Sequence, residues 1–521
     1  MLIRLTHATV ENAGAKAAVL GKLAAADFPV PPGFVIPLDA YVAATASLEL
    51  SDVLAEHASA APADHGRALA DHGRAELAER GRAEFAERGR AELAERGSAE
   101  LAERGRAELA DHGSRVLADH GSDEVRRLVR AQPFPAELLT ELAEALTELG
   151  DAPVAVRSSA TTEDTADASA AGQHDTYLGV QGLAAVADRV QACWSSLWTH
   201  RAITYRQTHH APQSRTDGDR STERGPAMAV IVQRQVDAEV AGVLFSSGRD
   251  SVVEASWGLG ESVVQGLVTP DLFTVSDDGQ MEHQLGSKQT RIDRDADGTT
   301  TITTEVPPHH RERLCLTERQ LHELDELGRA VVARLGAPQD IEFALDSTGL
   351  WLLQARPITA PLPPVRLPPQ ADQPTRQTDQ PTRQADQPTR QMDQPIGQAD
   401  QPTMQADGLA GLAGPKVLQG VGGSAGVLSG VARVVEGPGD FGRVGVGEIL
   451  VCRYTDPSWT PLFGMIGGVV TETGGRLSHA AIVARERRIP AVLGVPSVMK
   501  TVRDGQEITI DGSAGTVELA R

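Results

Sequence analysis

The 521-residue chain reads as a multidomain α/β (α+β) protein, and three observations lead to that reading. Short apolar runs beginning at Val154, Met228, Ala241 and Val252 have the length and composition of buried strands. The glycine pair Gly474 and Gly475, followed by Ser478 and an alanine-rich stretch, has the signature of a turn that opens a helix. Two tracts of repeated polar sequence break up these folded parts.

Composition agrees with a large globular protein. A chain of this length can bury at least two cores, and 40% hydrophobic residues is an ordinary share. The formal net charge of -22 argues against a general nucleic-acid or anionic-membrane surface. Cys193, Cys315 and Cys452 are widely spaced, which suggests neither a disulfide framework nor a zinc cluster. The start, Met1-Leu-Ile-Arg-Leu-Thr-His, lacks the apolar stretch of a signal peptide, and no run of about twenty apolar residues occurs. A cytoplasmic protein is expected, with neither nucleic acid nor membrane as partner.

From the N-terminus, Gly14-Ala-Lys16 supplies a turn-forming glycine beside a lysine that suits a phosphate, and Pro31-Pro-Gly33 turns the chain into a strand. A surface lysine at the start of an amphipathic helix is the alternative for Lys16. Next, Val154-Ala-Val-Arg157-Ser-Ser-Ala is a short apolar strand that delivers an arginine, whose planar fork of donors matches phosphate oxygens. The small residues that follow, through Gly172 to Thr176, let a loop close over an anion; His174 in that loop is given no role. The runs at 228–234, 241–247 and 252–257 read as strands lining a cleft.

Towards residue 360, Gln339-Asp-Ile-Glu342 and Leu350-Trp-Leu-Leu-Gln354-Ala-Arg356-Pro are two strands joined by the Ser347-Thr-Gly349 turn. Side chains repeat every second residue on a strand, so Glu342, Gln354 and Arg356 can share a face. A carboxylate and an amide oxygen can hold a hard magnesium ion together with phosphate oxygens, and an arginine offsets the negative charge. A buried salt bridge between Glu342 and Arg356 is the alternative.

The repeats have different characters. From Ala63 to about Ser122 an eight-residue unit typified by Ala-Glu-Leu-Ala-Glu-Arg-Gly-Arg recurs. Its apolar position turns by about 80° per repeat at helical pitch, so Leu77, Phe85, Leu93 and Leu101 make no fixed stripe. This is read as a partly helical surface insertion, with a binding role for its His-Gly units as the alternative. From Ala371 to Asp407 a seven-residue unit typified by Ala-Asp-Gln-Pro-Thr-Arg-Gln carries proline in each unit and almost nothing apolar, which reads as an extended linker. A coil of that length spans on the order of 35 Å r.m.s.; a neutral expansion is the alternative. The expected divisions are 1–361 with the insertion at 63–122, a linker at 362–410, and a C-terminal domain at 411–521.

In the C-terminal part, Thr471-Glu-Thr-Gly-Gly-Arg-Leu-Ser-His479 sets a histidine where a helix begins. Gly474 and Gly475 allow a tight bend, Ser478 is placed as the N-cap, and the helix is predicted over 480–488 with its basic residues at the far end. The positive end of the helix dipole disfavours imidazolium, keeps a neutral nitrogen available for attack, and stabilises a phosphate once attached. A packing role at the helix start is the alternative for His479.

With Thr455-Asp-Pro-Ser-Trp-Thr-Pro461 upstream and Ile489-Pro-Ala-Val-Leu-Gly-Val495 downstream, this motif resembles the phosphohistidine swivelling domain of the phosphoenolpyruvate-utilising dikinase family. That family includes phosphoenolpyruvate synthase, pyruvate phosphate dikinase and rifampin phosphotransferase. The Val-Arg-Ser-Ser-Ala-Thr segment, the Asp-Ile-Glu strand and Leu-Gln-Ala-Arg-Pro are similar to the family's ATP-grasp-like nucleotide-binding domain. The resemblance implies that His479 is phosphorylated and that Thr471 contacts the phosphohistidine. It implies an ATP site at Lys16, Arg157, Gly172, Thr176, Gln233 and Arg356, and a magnesium site at Glu342 and Gln354. Two departures stand out: Ala15 replaces a family glycine, and Ser246-Ser-Gly-Arg-Asp250 is shorter than the family's segment, which puts the cleft wall there in question.

The implied activity is an ATP-dependent phosphotransfer in which His479 takes the β-phosphoryl group, leaving AMP, while the γ-phosphate passes to water or phosphate. The large barrel or antibiotic-binding domain of the named enzymes is not found within this sequence, so the acceptor stays open. A small molecule bound beside the cleft, a separate acceptor protein, and a nucleotide-binding regulator without turnover are the three readings, with the small molecule slightly preferred.

Overall fold

The computed structural model describes residues 1–48, 50, 121–161, 175–199, 202–203, 206, 226–295, 300–358, 360, 362 and 416–520. The octapeptide tract up to residue 120, the heptapeptide tract, Gly172 and His174 lie outside the described residues.

Five strands form the first sheet: β1 (Ile3–Arg4), β2 (Gly33–Ile36), β3 (Val154–Ala160), β4 (Thr176–Val180) and β5 (Met228–Arg234). Their spatial order is β1-β2-β5-β3-β4, antiparallel throughout. Helices α1 (Val10–Ala24), α2 (Leu38–Thr45), α3 (Ala136–Glu148) and α4 (Leu183–Ser196) accompany it. The period of α3 explains its placement, since Leu138, Leu142 and Leu146 recur every four residues and all three are buried. Helix α1 is broken at Gly14, whose φ of 76° only glycine adopts at low cost. Ser159 of β3 fills the break: its hydroxyl donates to the Ala13 carbonyl (2.7 Å) and accepts from the Ala17 N–H (3.1 Å). Lys16 thus leaves a kinked helix clamped to the strand that carries Arg157.

The second sheet begins with β6 (Val240–Ser246), β7 (Ser251–Trp257), β8 (Asp271–Val275) and β9 (Met281–Gln284). A separate ribbon of β10 (Thr290–Arg294) and β11 (Thr301–Glu305) follows. The hairpin of β12 (Gln339–Asp346) and β13 (Gly349–Pro357) then completes the sheet in the order β13-β12-β6-β7-β8-β9. Helix α5 (Glu318–Leu335) packs against β6, started by Thr317 and Gln320 bonding each other's backbone and ended by the left-handed Gly336. One apolar core runs through both sheets: Leu20, Val156 and Ile231 belong to the same buried cluster as Leu244, Phe343 and Leu352.

The third sheet has eight strands: β14 (Lys416–Gln419), β15 (Val421–Ser424), β16 (Val427–Val435), β17 (Ile449–Cys452), β18 (Gly468–Thr471), β19 (Ala491–Leu493), β20 (Glu507–Asp511) and β21 (Thr516–Leu519). Their order is β14-β21-β20-β16-β17-β18-β19-β15, and the central β16, β17, β18 and β19 run parallel. Helix α6 (His479–Arg487) crosses from β18 to β19 and packs Ala480, Val483 and Ala484 with Trp459 and Phe463 on one face of the sheet. Ile508, Ile510 and Val517 belong to a second cluster, with Val451 and Val470.

Two local expectations need correction. Ser478 holds the N-cap position with extended backbone, yet its hydroxyl does not cap; it donates to the Gly475 carbonyl (2.8 Å) and closes the turn instead. The helix ends at Arg487, because Arg488 turns left-handed (φ 56°) to let Ile489 N–H bond back to the Ala484 carbonyl.

Candidate active site

A cavity of about 590 Å³ opens between the first two sheets and the start of α6. Lys16, Arg157, Thr176, Gln233, Glu342, Gln354, Arg356 and His479 all line it, so eight residues chosen from five distant stretches of sequence meet in one place. Among the site residues chosen from sequence, Gly172 lies outside the described residues and Thr471 does not line the cavity.

Arg157 ties the walls together. From β3 its guanidinium donates to the Leu353 carbonyl (2.5 Å) and the Gln354 side-chain oxygen (2.8 Å), and it reaches the Glu342 carboxylate at 3.4 Å. Glu342 and Gln354 are cross-strand partners, with the register shifting directly after Glu342. Two residues along the same pair of strands, Arg356 faces Asp340, and Nε and a terminal guanidinium nitrogen both bond the same carboxylate oxygen at 2.8 Å. The ion pair considered from sequence, Glu342 with Arg356, is therefore replaced by two others, because cross-strand neighbours face each other directly. Gln233 is held by donation of its amide to the Pro31 carbonyl (3.0 Å).

Glu261 also lines the cavity and was given no role from sequence, although the Gly258-Leu-Gly-Glu261 stretch contains it. Burial pushes its carboxyl above the ordinary range, and the charge of Glu342 pushes the same way. Among the described residues no group of three or more His, Cys, Asp or Glu side chains is placed to hold a metal. The shortened 246–250 segment forms a tight turn between β6 and β7, with Ser247 N–H bonding the Asp250 carbonyl, and contributes nothing to the cavity wall.

His479 is the first residue of α6 and is almost wholly buried. Thr455 Oγ1 lies 2.9 Å from Nδ1 and Thr460 Oγ1 lies 3.3 Å from Nε2, while the Phe463 ring meets the imidazole edge-on at 6.1 Å. Both hydroxyls come from the Thr455–Pro461 stretch, which entered the sequence argument only as a resemblance. The Thr471 hydroxyl donates to the Thr473 carbonyl (2.6 Å), which fixes the turn after β18.

The turn itself sits on the second sheet. Thr473 Oγ1 donates to the Gly266 carbonyl (2.7 Å), Gly474 N–H to the Val268 carbonyl (3.1 Å), and Leu477 packs with Val243, Phe245, Val263 and Val268. Glu254 of β7 accepts the N–H of Arg476 (2.6 Å) and of Leu477 (2.9 Å). Arg485 lies over the Phe245 ring, 6.0 Å from its centroid.

A cavity lined by cations and carboxyls lies between two sheets and is faced by a helix-borne histidine from a third, the arrangement of a multidomain α/β protein with its candidate site where the sheets meet. Residues 10–362 match the pyruvate phosphate dikinase AMP/ATP-binding domain, and residues 444–515 match the PEP-utilising enzyme mobile domain. The chain belongs to the phosphoenolpyruvate-utilising dikinase family. It is 33% identical over 410 residues to a probable phosphoenolpyruvate synthase of Methanothermobacter thermautotrophicus, covering 76% of this chain and 52% of that protein. It is 32% identical over 417 residues to the phosphoenolpyruvate synthase of Pyrococcus furiosus, covering 76% and 45%. A probable phosphoenolpyruvate synthase of Methanocaldococcus jannaschii is 28% identical over 527 residues, covering 98% and 36%. The chain spans about half the length, or less, of these relatives. No helix among the described residues is long and apolar enough to cross a membrane.

Proposed function

We propose that this chain is an ATP-dependent, dikinase-type phosphotransferase that loads His479 with the β-phosphoryl group of ATP. One observation carries the reading: His479 opens onto the same cavity as Lys16, Arg157, Arg356, Glu342 and Gln354. ATP lies along that cavity with its phosphates among the three cations. Thr455 accepts the proton on Nδ1, which leaves the lone pair of Nε2 for attack, and Thr460, at the longer distance, gives way to the phosphorus. The Nε2–P bond forms as the bond from the β-phosphorus to the α–β bridging oxygen breaks, and AMP departs with that oxygen; the β–γ linkage is then cleaved as the γ-phosphoryl group passes to water, giving phosphate, or to phosphate, giving pyrophosphate. Charge neutralisation dominates this chemistry, which suits a site richer in cations than in bases.

The residues present fit a magnesium ion. Glu342, Gln354 and the nearby Glu261 each offer oxygen ligands, the mutual repulsion of the two carboxyls calls for a cation, and the Gln354 oxygen keeps a second lone pair beside Arg157. Bound there with phosphate oxygens, magnesium would spread the charge of the transferring group.

The relatives are named phosphoenolpyruvate synthases, which makes pyruvate the first acceptor to test. Incubation with ATP and magnesium should yield AMP and an acid-labile phosphoprotein, both lost in His479→Ala. ADP as the sole nucleotide product overturns the dikinase reading.

A further inference from the structure

The glycine pair before His479 has two separate physical causes. Gly474 is a conformational glycine, with φ at 103°. Gly475 has no such backbone demand; a Cβ placed there would lie within 2.5 Å of both Glu254 carboxylate oxygens and their carbon. Its missing side chain is a notch, and what occupies the notch is a side chain from another sheet.

Glu254 lies in the middle of β7, between β6 and β8, and only 2% of it is exposed. A carboxyl group so placed needs partners for both oxygens. It finds them in the N–H groups of Arg476 and Leu477, just before His479. The cations near it have other anchors: Arg476 Nε donates to the Gly422 carbonyl, and Arg485 donates to the carbonyls of Gly423 and Arg476. Those bonds hold the turn to its own sheet, while Glu254 offers a carboxyl to its backbone from the opposite side. Glu254 is not among the residues that line the cavity, so it has no direct hold on a nucleotide.

We infer that Glu254 is a positioning residue for phosphoryl loading: it seats the 474–478 turn on β7 and so aims His479 into the cavity, without contributing to nucleotide affinity. Gly475 is the matching notch. This inference rests on the reading of His479 as the accepting group.

The experiment uses the full chain with Glu254→Gln, Glu254→Ala, Gly475→Ala and the Gly475→Ala/Glu254→Ala pair. Glu254→Gln keeps shape and one acceptor oxygen but turns a donor towards the second N–H, so the fold survives while the seat is spoiled. ATP affinity, read by equilibrium binding, should stay within about twofold of wild type, whereas the single-turnover rate of phosphohistidine formation should fall about tenfold or more. Amide hydrogen exchange in the 474–479 peptide should accelerate in Glu254→Ala. Gly475→Ala should slow loading as much as Glu254→Ala does, yet add less than about twofold once the carboxyl is gone, because the Cβ then meets an empty space. Loading at the wild-type rate in Glu254→Gln overturns the inference, as does a Gly475→Ala penalty that is the same in both backgrounds. If wild type forms no phosphoprotein, the carrier reading fails and the loading role of Glu254 with it; faster exchange in Glu254→Ala would then support a structural seat only.

Discussion

Around the cavity, charges are partnered from several sides; Arg157 shares itself among a carbonyl, an amide and a carboxylate, and Glu342 keeps about a quarter of its side chain exposed. Beneath the histidine turn, by contrast, Glu254 is enclosed and committed to two backbone N–H groups. The first arrangement offers a ligand several donors already divided among more than one acceptor. The second can only be whole or broken. Binding and aiming are thus assigned to charges of different mobility, and the contrast can be probed from either side.

The largest effect is expected at the group that both regions serve. His479→Ala should abolish phosphoprotein and AMP formation in a quench assay while ATP binding persists. Next comes Asp271, which with Lys288 forms a fully buried ion pair beneath the docking strand and also accepts the N–H groups of Gly286 and Cys315. Asp271→Asn should lower stability by about 3–5 kcal/mol, read by denaturant unfolding, because it strands a buried lysine. Arg157→Ala removes the shared partner of the cavity walls and should weaken ATP binding by about 30- to 100-fold, measured by titration calorimetry. Thr455→Val should slow loading about tenfold with little change in ATP affinity, whereas Thr471→Val, whose hydroxyl is bonded to the Thr473 carbonyl, should slow it less than about threefold.

The smallest effect concerns acid. Hydrogen bonding from Arg433 holds the Glu448 carboxyl below its usual 4.5, so the unfolded chain takes up protons first as pH falls. The resulting stability is present above pH 4.5 and is lost as pH drops through the lowered value. Glu448→Gln should remove about 1 kcal/mol or less near neutrality and flatten this acid dependence in thermal melts.

Much of this was legible in sequence where one residue type has few physical uses. Apolar runs at 154–156 and 228–232 predicted buried strands, and the lysine, arginines, amides and carboxylate of four stretches pointed at one nucleotide and metal site. The pairing of charges was not legible, because Asp340 and Glu342 are both acidic and equally near Arg356 in strand alternation; only register separates them. Thr471 and Thr455 are likewise both threonines near a turn, and which hydroxyl meets the imidazole depends on how the 457–464 3₁₀ segment folds over α6. Glu254 left no local signal at all, since its partners lie more than 200 residues away and are backbone atoms, which every residue possesses.

Ser159 adds a mechanical consequence. By bridging Ala13 and Ala17 across the break in α1, it joins the helix that bears Lys16 to the strand that bears Arg157. The two cations therefore behave as a single jaw rather than two fingers. The backbone positions from which the two side chains reach are therefore set when the chain folds, before any ligand arrives.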